Sequence, residues 1–254
     1  MTKNSLKEML KQGKTALGTW ITIGSQDIAE TASTVGFDYL VFDTEHAPLS
    51  NETVQKLMQA CGVKVVPLVR VAWNDQVLIK LALDIGAQGL IIPLVNSKED
   101  AAKAVAATKY PPVGIRGIGP RRASNYYQSF QDYVAAADKE TMVIIQIEHT
   151  DAVKNIDEIL QVKGIDAIFI GPADLTASMG LLGKYDDPRV IATIDKVLEK
   201  AKRANVIVGI HTFGPEDATK RIAQGFQLII VSTDIGFFIQ GCKETIKRIR
   251  DSAK

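Results

Sequence analysis

The sequence predicts a (β/α)₈ barrel, and three observations carry that expectation. The chain has 254 residues, the usual size of this fold. Short β-branched apolar runs alternate with helix-periodic segments along its length, eight of each. Nearly every residue of each run is apolar, as a parallel strand buried on both faces requires. An open doubly wound sheet would carry G-x-G-x-x-G after its first strand. The fragment from Gly114 to Gly119 has the wrong order for that motif and follows a proline turn. No linker, low-complexity tract or repeat divides the chain, so residues 1–254 read as one barrel domain.

The expected strands are 17–23, 39–42, 65–71, 89–95, 142–147, 167–170, 206–210 and 228–232. Helical periodicity follows at 27–35, 52–61, 76–85, 98–108, 152–161, 188–204, 216–223 and 237–251, with an extra short helix at 5–11. Ser50 and Ser97 supply N-caps, and Gly36, Gly62, Gly86 and Gly225 supply stops. Residues 110–141 read as an unusually long loop rich in Gly, Pro and Arg, and loops of that length are commonly functional.

Composition excludes several classes of function. Hydrophobic residues make up 46% and charged residues 23%, which is ordinary for a folded domain and wrong for a disordered one. The net charge is +1, with no polybasic tract for nucleic acid or acidic membrane. No apolar run is long enough to span a bilayer. The N-terminus, MTKNSLKEMLKQGK, lacks the apolar core of a signal peptide. Cys61 and Cys242 lie far apart and read as two reduced thiols of a cytoplasmic protein.

In a barrel the chemistry sits at the C-terminal ends of the strands. Five expected strands end in polar groups: Asp43-Thr44-Glu45-His46, Arg70, Gln146-Ile147-Glu148-His149, Pro172-Ala173-Asp174 and His211-Thr212. All three histidines of the chain are in this set. Glu148 ends an apolar run and shares a face with Gln146, so it needs a partner: a salt bridge to Arg70, or a metal. Two carboxylates, Glu148 and Asp174, with waters would suit a hard divalent cation. Asp43 and His46 have the spacing for a carboxylate that holds and tunes an imidazole base, or for a capping aspartate beside a satisfied histidine. Arg70 offers a fixed charge for a carboxylate or an enolate oxygen, or an ion pair with Glu148 or Glu45.

Pro172-Ala173-Asp174 reads as the first turn of a short helix, with free N–H groups for a substrate carboxylate. Trp20 would wall the pocket or fill the core. His211 would face the mouth and His149 the helix layer. Arg116, Arg121 and Arg122 would either meet an acidic substrate tail or be solvated. Asp84, at a helix C-terminus where its charge is mildly unfavourable, calls for a partner elsewhere, such as one across a subunit interface. No lysine stands at a strand C-terminus, which argues against Schiff-base chemistry and for metal-assisted enolate chemistry.

Six segments resemble the HpcH/HpaI family of metal-dependent pyruvate aldolases: FDYLVFDTEHAPLS (37–50), VPLVRV (66–71), GAQGLIIPLV (86–95), RGIGPRRASNY (116–126), VIIQIEHTDAVKNIDEI (143–159) and GIDAIFIGPADLTASMG (164–180). The likeness runs from Gly18 to Phe238. It implies a barrel that assembles as a homo-hexamer, a dimer of trimers, with the last helix exchanged between subunits. It implies Glu148 and Asp174 as ligands of Mg²⁺, Mn²⁺ or Co²⁺. His46 matches the family's base, with Asp43 and, from an adjacent subunit, Asp84 raising its basicity. Arg70 matches the residue that steadies the enolate oxygen, and Gln146 and the Ala173 backbone match contacts to pyruvate. His211 departs from the apolar residue many members carry, which leaves the acceptor aldehyde open.

The implied activity is reversible cleavage of 4-hydroxy-2-oxo acids to pyruvate and an aldehyde through a metal-held pyruvate enolate. Its partners would be small 2-oxo acids and aldehydes, not nucleic acid or membrane. The alternatives are a CoA-thioester lyase of the malyl-CoA or citrate lyase type, which would need a nucleotide surface, and a non-catalytic subunit that binds metal and pyruvate.

Overall fold

The computed structural model describes residues 3–253. Eight parallel strands pair in chain order and close into a barrel. They are β1 (Ala16–Ile21), β2 (Tyr39–Asp43), β3 (Val66–Arg70), β4 (Gly89–Ile92), β5 (Met142–Ile147), β6 (Ala167–Ile170), β7 (Ile207–Thr212) and β8 (Leu228–Thr233). The helices are α1 (Ser5–Lys11), α2 (Gln26–Ala32), α3 (Asn51–Cys61), α4 (Gln76–Asp84), α5 (Lys98–Thr108), α6 (Phe130–Glu140), α7 (Thr150–Lys154), α8 (Ile156–Ile159), α9 (Pro172–Ser178), α10 (Pro188–Arg203), α11 (Pro215–Gln224) and α12 (Asp234–Ser252). The expected barrel is the observed fold.

Two cores hold it. Outside the barrel, Phe42, Val69, Leu90, Ile145 and Ile168 alternate outward to meet helix residues such as Leu57, Ile79 and Ala104. Inside, Tyr39, Leu68, Ile91, Ile144, Phe169 and Ile230 fill the lumen. Glycine makes room in this layer: a Cβ on Gly209 would stand 2.7 Å from the Phe169 ring. Below, α1 closes the N-terminal mouth. Its Leu6 and Leu10 join the lumen core, and Asn4 caps its first turn by accepting from the Leu6 and Lys7 amides.

Three sequence expectations change. The long segment after α5 is not all loop, because residues 130–140 form α6. Tyr133 and Ala137 of α6 pack against Tyr110. The single helix expected over 152–161 is two short helices broken at Asn155. There the Asn155 side chain donates to the Asn96 carbonyl, 2.8 Å, and so ties the break to the loop after β4. Finally, α12 starts at Asp234, earlier than periodicity suggests, because Thr233 caps it by accepting from the Gly236 amide.

The whole of α12 carries no buried residue. Phe238, at 67% exposed, and Ile249, at 64%, face solvent in the single chain. No helix among the described residues is long and apolar enough to cross a membrane.

Candidate active site

At the C-terminal end of the barrel lies a cavity of about 490 Å³. It draws together Trp20, Asp43, His46, Arg70, Gln146, Pro172, Ala173, Asp174 and His211, contributed by six strands and the turns that follow them. Nine of the eleven residues singled out from the sequence therefore share one wall. Glu148 sits directly behind it, 5% exposed, with one carboxylate oxygen accepting from the Gln146 amide. Asp84 alone lies elsewhere. It ends α4, which runs back against the strands, so it sits at the opposite end of its own barrel.

The strand register decides how the carboxylates are used. Asp43 and Arg70 are direct neighbours in the β2–β3 pairing. Arg70 donates to both Asp43 oxygens, Nε to Oδ1 at 2.9 Å and Nη2 to Oδ2 at 2.7 Å. This bidentate fork orients the guanidinium as a lysine could not. Asp43 Oδ1 also accepts from the backbone amides of Glu45 and His46. The Asp43 carboxylate is thus spent on Arg70 and the turn. The expected direct hold of Asp43 on the His46 imidazole is not formed among the described residues.

Glu45 takes that place. Its Oε2 stands 3.6 Å from His46 Nε2 and 3.2 Å from Arg70 Nη1, an ion pair rather than a hydrogen bond. Burial pushes Glu45 up to about 7 against the pull of Arg70, with Glu148, Asp43 and Asp174 adding to the rise. From sequence alone Glu45 has only a structural part, as an ion-pair partner of Arg70. Its one signal was its position between Asp43 and His46 in a polar strand end. Arg70 also lies over the Trp20 ring, 4.1 Å from its centre, so Trp20 both walls the cavity and supports the cation.

Glu148 does not pair with Arg70. Its Oε1 accepts from the Leu94 amide at 2.9 Å. Leu94 sits in the left-handed region, φ 58°, a strained conformation for a branched residue. That strain aims a backbone N–H at the carboxylate. Burial raises the Glu148 pKa, opposed by the Leu94 and Gln146 hydrogen bonds and assisted by the charge of Asp174.

The nearby Asp174 charge disfavours ionisation of Glu148, so a cation between the two would relieve both burial and repulsion. Gln146 Oε1 is buried with no hydrogen-bond partner, another polar atom awaiting a ligand. Gly171 leaves space against both side chains: a Cβ there would be 3.2 Å from Gln146 Nε2 and 3.3 Å from Glu148 Cβ. No group of three or more His, Cys, Asp or Glu side chains among the described residues could hold a metal. The donor set is therefore two carboxylates with open positions, which fits a hard divalent cation and not structural zinc.

The remaining residues sort clearly. His211 lines the cavity and accepts the Trp20 indole N–H on Nδ1, 3.2 Å. Pro172-Ala173-Asp174 does open a short helix, α9. His149 caps α7 by accepting from the Asp151 amide, a structural task. Arg116 is neither solvated nor free for a substrate. It is 1% exposed and binds Asp84 at 2.8 Å, so the partner Asp84 calls for is in its own chain. Arg122 donates to the Ile85 carbonyl, and Arg121 lies over Tyr126.

A barrel with buried acids, an imidazole and an oriented guanidinium gathered at the strand C-termini belongs to the class of (β/α)₈ enzymes. The family model described as HpcH/HpaI aldolase/citrate lyase matches residues 16–241. The 4-hydroxy-2-oxo-heptane-1,7-dioate aldolase of Shigella flexneri is 37% identical over 99% of this chain and 95% of its own. A solved HpcH/HpaI aldolase/citrate lyase family protein from Burkholderia cenocepacia J2315 superposes with TM-score 0.94, 34% identity and coverage of 98% and 100%. The HpcH/HpaI aldolase of Desulfitobacterium hafniense DCB-2 gives TM-score 0.90, 32% identity and 96% of each chain. The chain belongs to the HpcH/HpaI aldolase family and is a carbon–carbon lyase.

Proposed function

We propose that the chain is a divalent-metal-dependent aldolase that reversibly cleaves 4-hydroxy-2-oxo acids to pyruvate and an aldehyde. One observation carries the reading. Two carboxylates close enough to repel, Glu148 and Asp174, adjoin an Arg70 already held rigid by Asp43. Mg²⁺, Mn²⁺ or Co²⁺ held by Glu148 and Asp174 would supply Lewis-acid polarisation of the 2-oxo group.

The chain's own residues do the rest. The backbone amides at Ala173 and Asp174, in the first turn of α9, receive the substrate carboxylate. Gln146 turns its unpartnered Oε1 toward the same substrate. His46, on the exposed side of the cavity, accepts the 4-hydroxyl proton as C3–C4 breaks. Glu45 stands beside the imidazole, and in its ionised form it would hold the imidazolium. The electron pair of the broken bond moves onto the pyruvyl fragment. Arg70 donates two of its five N–H groups to Asp43 and faces Glu45 as an ion pair, which leaves N–H groups for that developing charge. The cavity lining contains no lysine, so no residue there offers an amine for a Schiff base.

The exposed last helix adds an assembly to this reading. An amphipathic helix of 19 residues with none buried needs a second copy to cover it. We infer that α12 is exchanged between subunits of a homo-hexamer. Asp84 is ion-paired with Arg116 of its own chain, so any action on a neighbour's His46 would come from that pair. The protein would work in the cytoplasm with Cys61 and Cys242 reduced.

The test is pyruvate release from a panel of 4-hydroxy-2-oxo acids, read by NADH oxidation with lactate dehydrogenase. Release should stop with EDTA and return with Mn²⁺, Mg²⁺ or Co²⁺. Release that EDTA leaves untouched overturns the metal reading. Cleavage of CoA thioesters alone would place the chain with the CoA-type lyases.

A further inference from the structure

Two cavities meet at His211. The one described above shares Pro172 and His211 with a second of about 460 Å³, which opens between α10 and α11. Nothing in the reaction described so far uses the second space. A wall common to two cavities is where a substrate longer than the pyruvyl unit would pass.

The imidazole in that wall has a defined state. The Trp20 indole N–H can only donate, so His211 Nδ1, which receives it at 3.2 Å, carries no proton. Burial lowers the His211 pKa to about 4, with the Arg70 charge adding and Asp217 opposing. The ring is neutral at physiological pH, and its one proton is on Nε2. That N–H has no hydrogen-bond partner among the described residues. It is a fixed donor on the partition.

The second cavity has a definite chemistry. Tyr185 and Phe213 lie with ring centres 4.4 Å apart, and Phe213 meets the edge of His211 at 5.0 Å. Val190 and Ile194 form an apolar floor. Flat rings and an apolar floor suit the C–H faces of a polyol chain. The charges are Asp186, Glu216 and Asp217 against Lys220 and Arg221. Arg221 already binds Asp217 and Gln224, and Lys220 stands one turn from Glu216 on α11. An anionic tail would find a net negative surround and one partly offset cation.

We propose that this second cavity is the subsite for the carbon chain of the acceptor aldehyde, and that it selects neutral 2-hydroxyaldehydes over carboxylate-terminated ones. His211 Nε2 donates to the hydroxyl next to the aldehyde carbon. The proposal rests on the aldolase reading above.

The experiment is aldol addition of pyruvate to glycolaldehyde, acetaldehyde, erythrose and succinic semialdehyde, scored as ratios of kcat/KM. The unmodified protein should favour erythrose over succinic semialdehyde by about tenfold or more. Ile191, half-buried, lines the same cavity beside Val190, and Ile191→Trp should lower the erythrose-to-glycolaldehyde ratio about tenfold. His211→Leu should lower the glycolaldehyde-to-acetaldehyde ratio by about tenfold. A preference for succinic semialdehyde, or ratios unmoved by both substitutions, overturns the subsite. Exchange of the pyruvate methyl protons in D₂O by the unmodified protein separates the two failures. Exchange with unmoved ratios sinks the subsite alone, whereas no exchange with any metal sinks the aldolase reading, and the subsite with it.

Discussion

The two ends of the barrel spend polar groups in opposite ways. At the N-terminal end, Asn4 is wholly buried. Its amide donates to the Gln88 and Glu140 carbonyls, its oxygen accepts from Leu6 and Lys7, and its backbone N–H meets the Glu140 carboxylate. Lys7 donates to the Lys139 and Thr141 carbonyls and ion-pairs with Asp166 at 2.9 Å. At the C-terminal end, Gln146 Oε1 is orphaned and Leu94 is strained. There Glu45 is pushed toward neutrality, and Glu148 is raised with Asp174 beside it. Both ends are buried and polar. What sets the upper end apart is that raised carboxyl groups and an unpartnered amide oxygen converge on and just behind one open cavity, a condition costly in stability unless a ligand completes them.

The sharpest break of this contrast is Glu148→Gln. The substitution is nearly isosteric and removes a buried charge, so the fold should survive with stability changed by less than about 1 kcal/mol. Activity should fall about 10²–10³-fold or more. Steady-state assay beside a urea melt checks both. Arg70→Lys should show the same separation, because a point charge cannot fork onto Asp43 and still face the substrate. Full activity in Arg70→Lys would remove the enolate role.

The opposite end should break the opposite way. Asn4→Ala deletes the α1 cap, takes the side-chain donor from the Glu140 carbonyl, and leaves the Gln88 carbonyl with the Met142 amide alone. The expected loss is about 3 kcal/mol of stability, with kcat kept within about twofold. A shifted urea midpoint with the assay unchanged would show it. A matching loss of kcat would mean the two ends are coupled.

A third test uses pH. Glu45 is raised to about 7 in the fold, against 4.5 for the ordinary group. Between those values the native state binds more protons than the unfolded chain, so stability falls as pH rises through the window. In EDTA, the melting temperature of the wild type should drop from pH 5 to pH 7 more steeply than that of Glu45→Gln. A divalent cation opposes the protonated form and should flatten the difference. Parallel slopes in EDTA would mean Glu45 does not titrate there.

Much of this contrast was legible in the sequence, because the features that make strands and strand ends are local. Apolar runs such as 142–147 reveal a parallel strand from composition alone, and the polar residues that follow reveal the mouth. What was not legible depends on neighbours in space. The spacing of Asp43 and His46 suggested a pair, but the β2–β3 register sets Asp43 against Arg70 instead, and Glu45 turns to the imidazole. Arg116 looked like a loop cation until Asp84 and Tyr133 closed around it. Helix α6 hid because its N-cap residue, Ser129, makes no side-chain cap and a Gly- and Pro-rich stretch precedes it. The break at Asn155 depends on a carbonyl almost sixty residues away, at Asn96.

The smallest expected effect concerns strain at the upper end. Leu94 holds φ 58° so that its N–H reaches Glu148 Oε1. Glycine adopts that conformation without steric cost but loses more entropy on folding and surrenders the leucine side chain. These terms oppose each other, so Leu94→Gly should change stability by less than about 1 kcal/mol and keep activity within about threefold. Leu94→Pro removes the same N–H and cannot adopt a positive φ. If the strain exists to present that hydrogen bond, the proline variant should lose metal affinity about 10-fold or more, as loss of an outer contact to a ligand does, while the glycine variant does not. Titration of Mn²⁺ by its paramagnetic signal reads this directly. Equal affinities in the two variants would show that the backbone amide of Leu94 does nothing for Glu148.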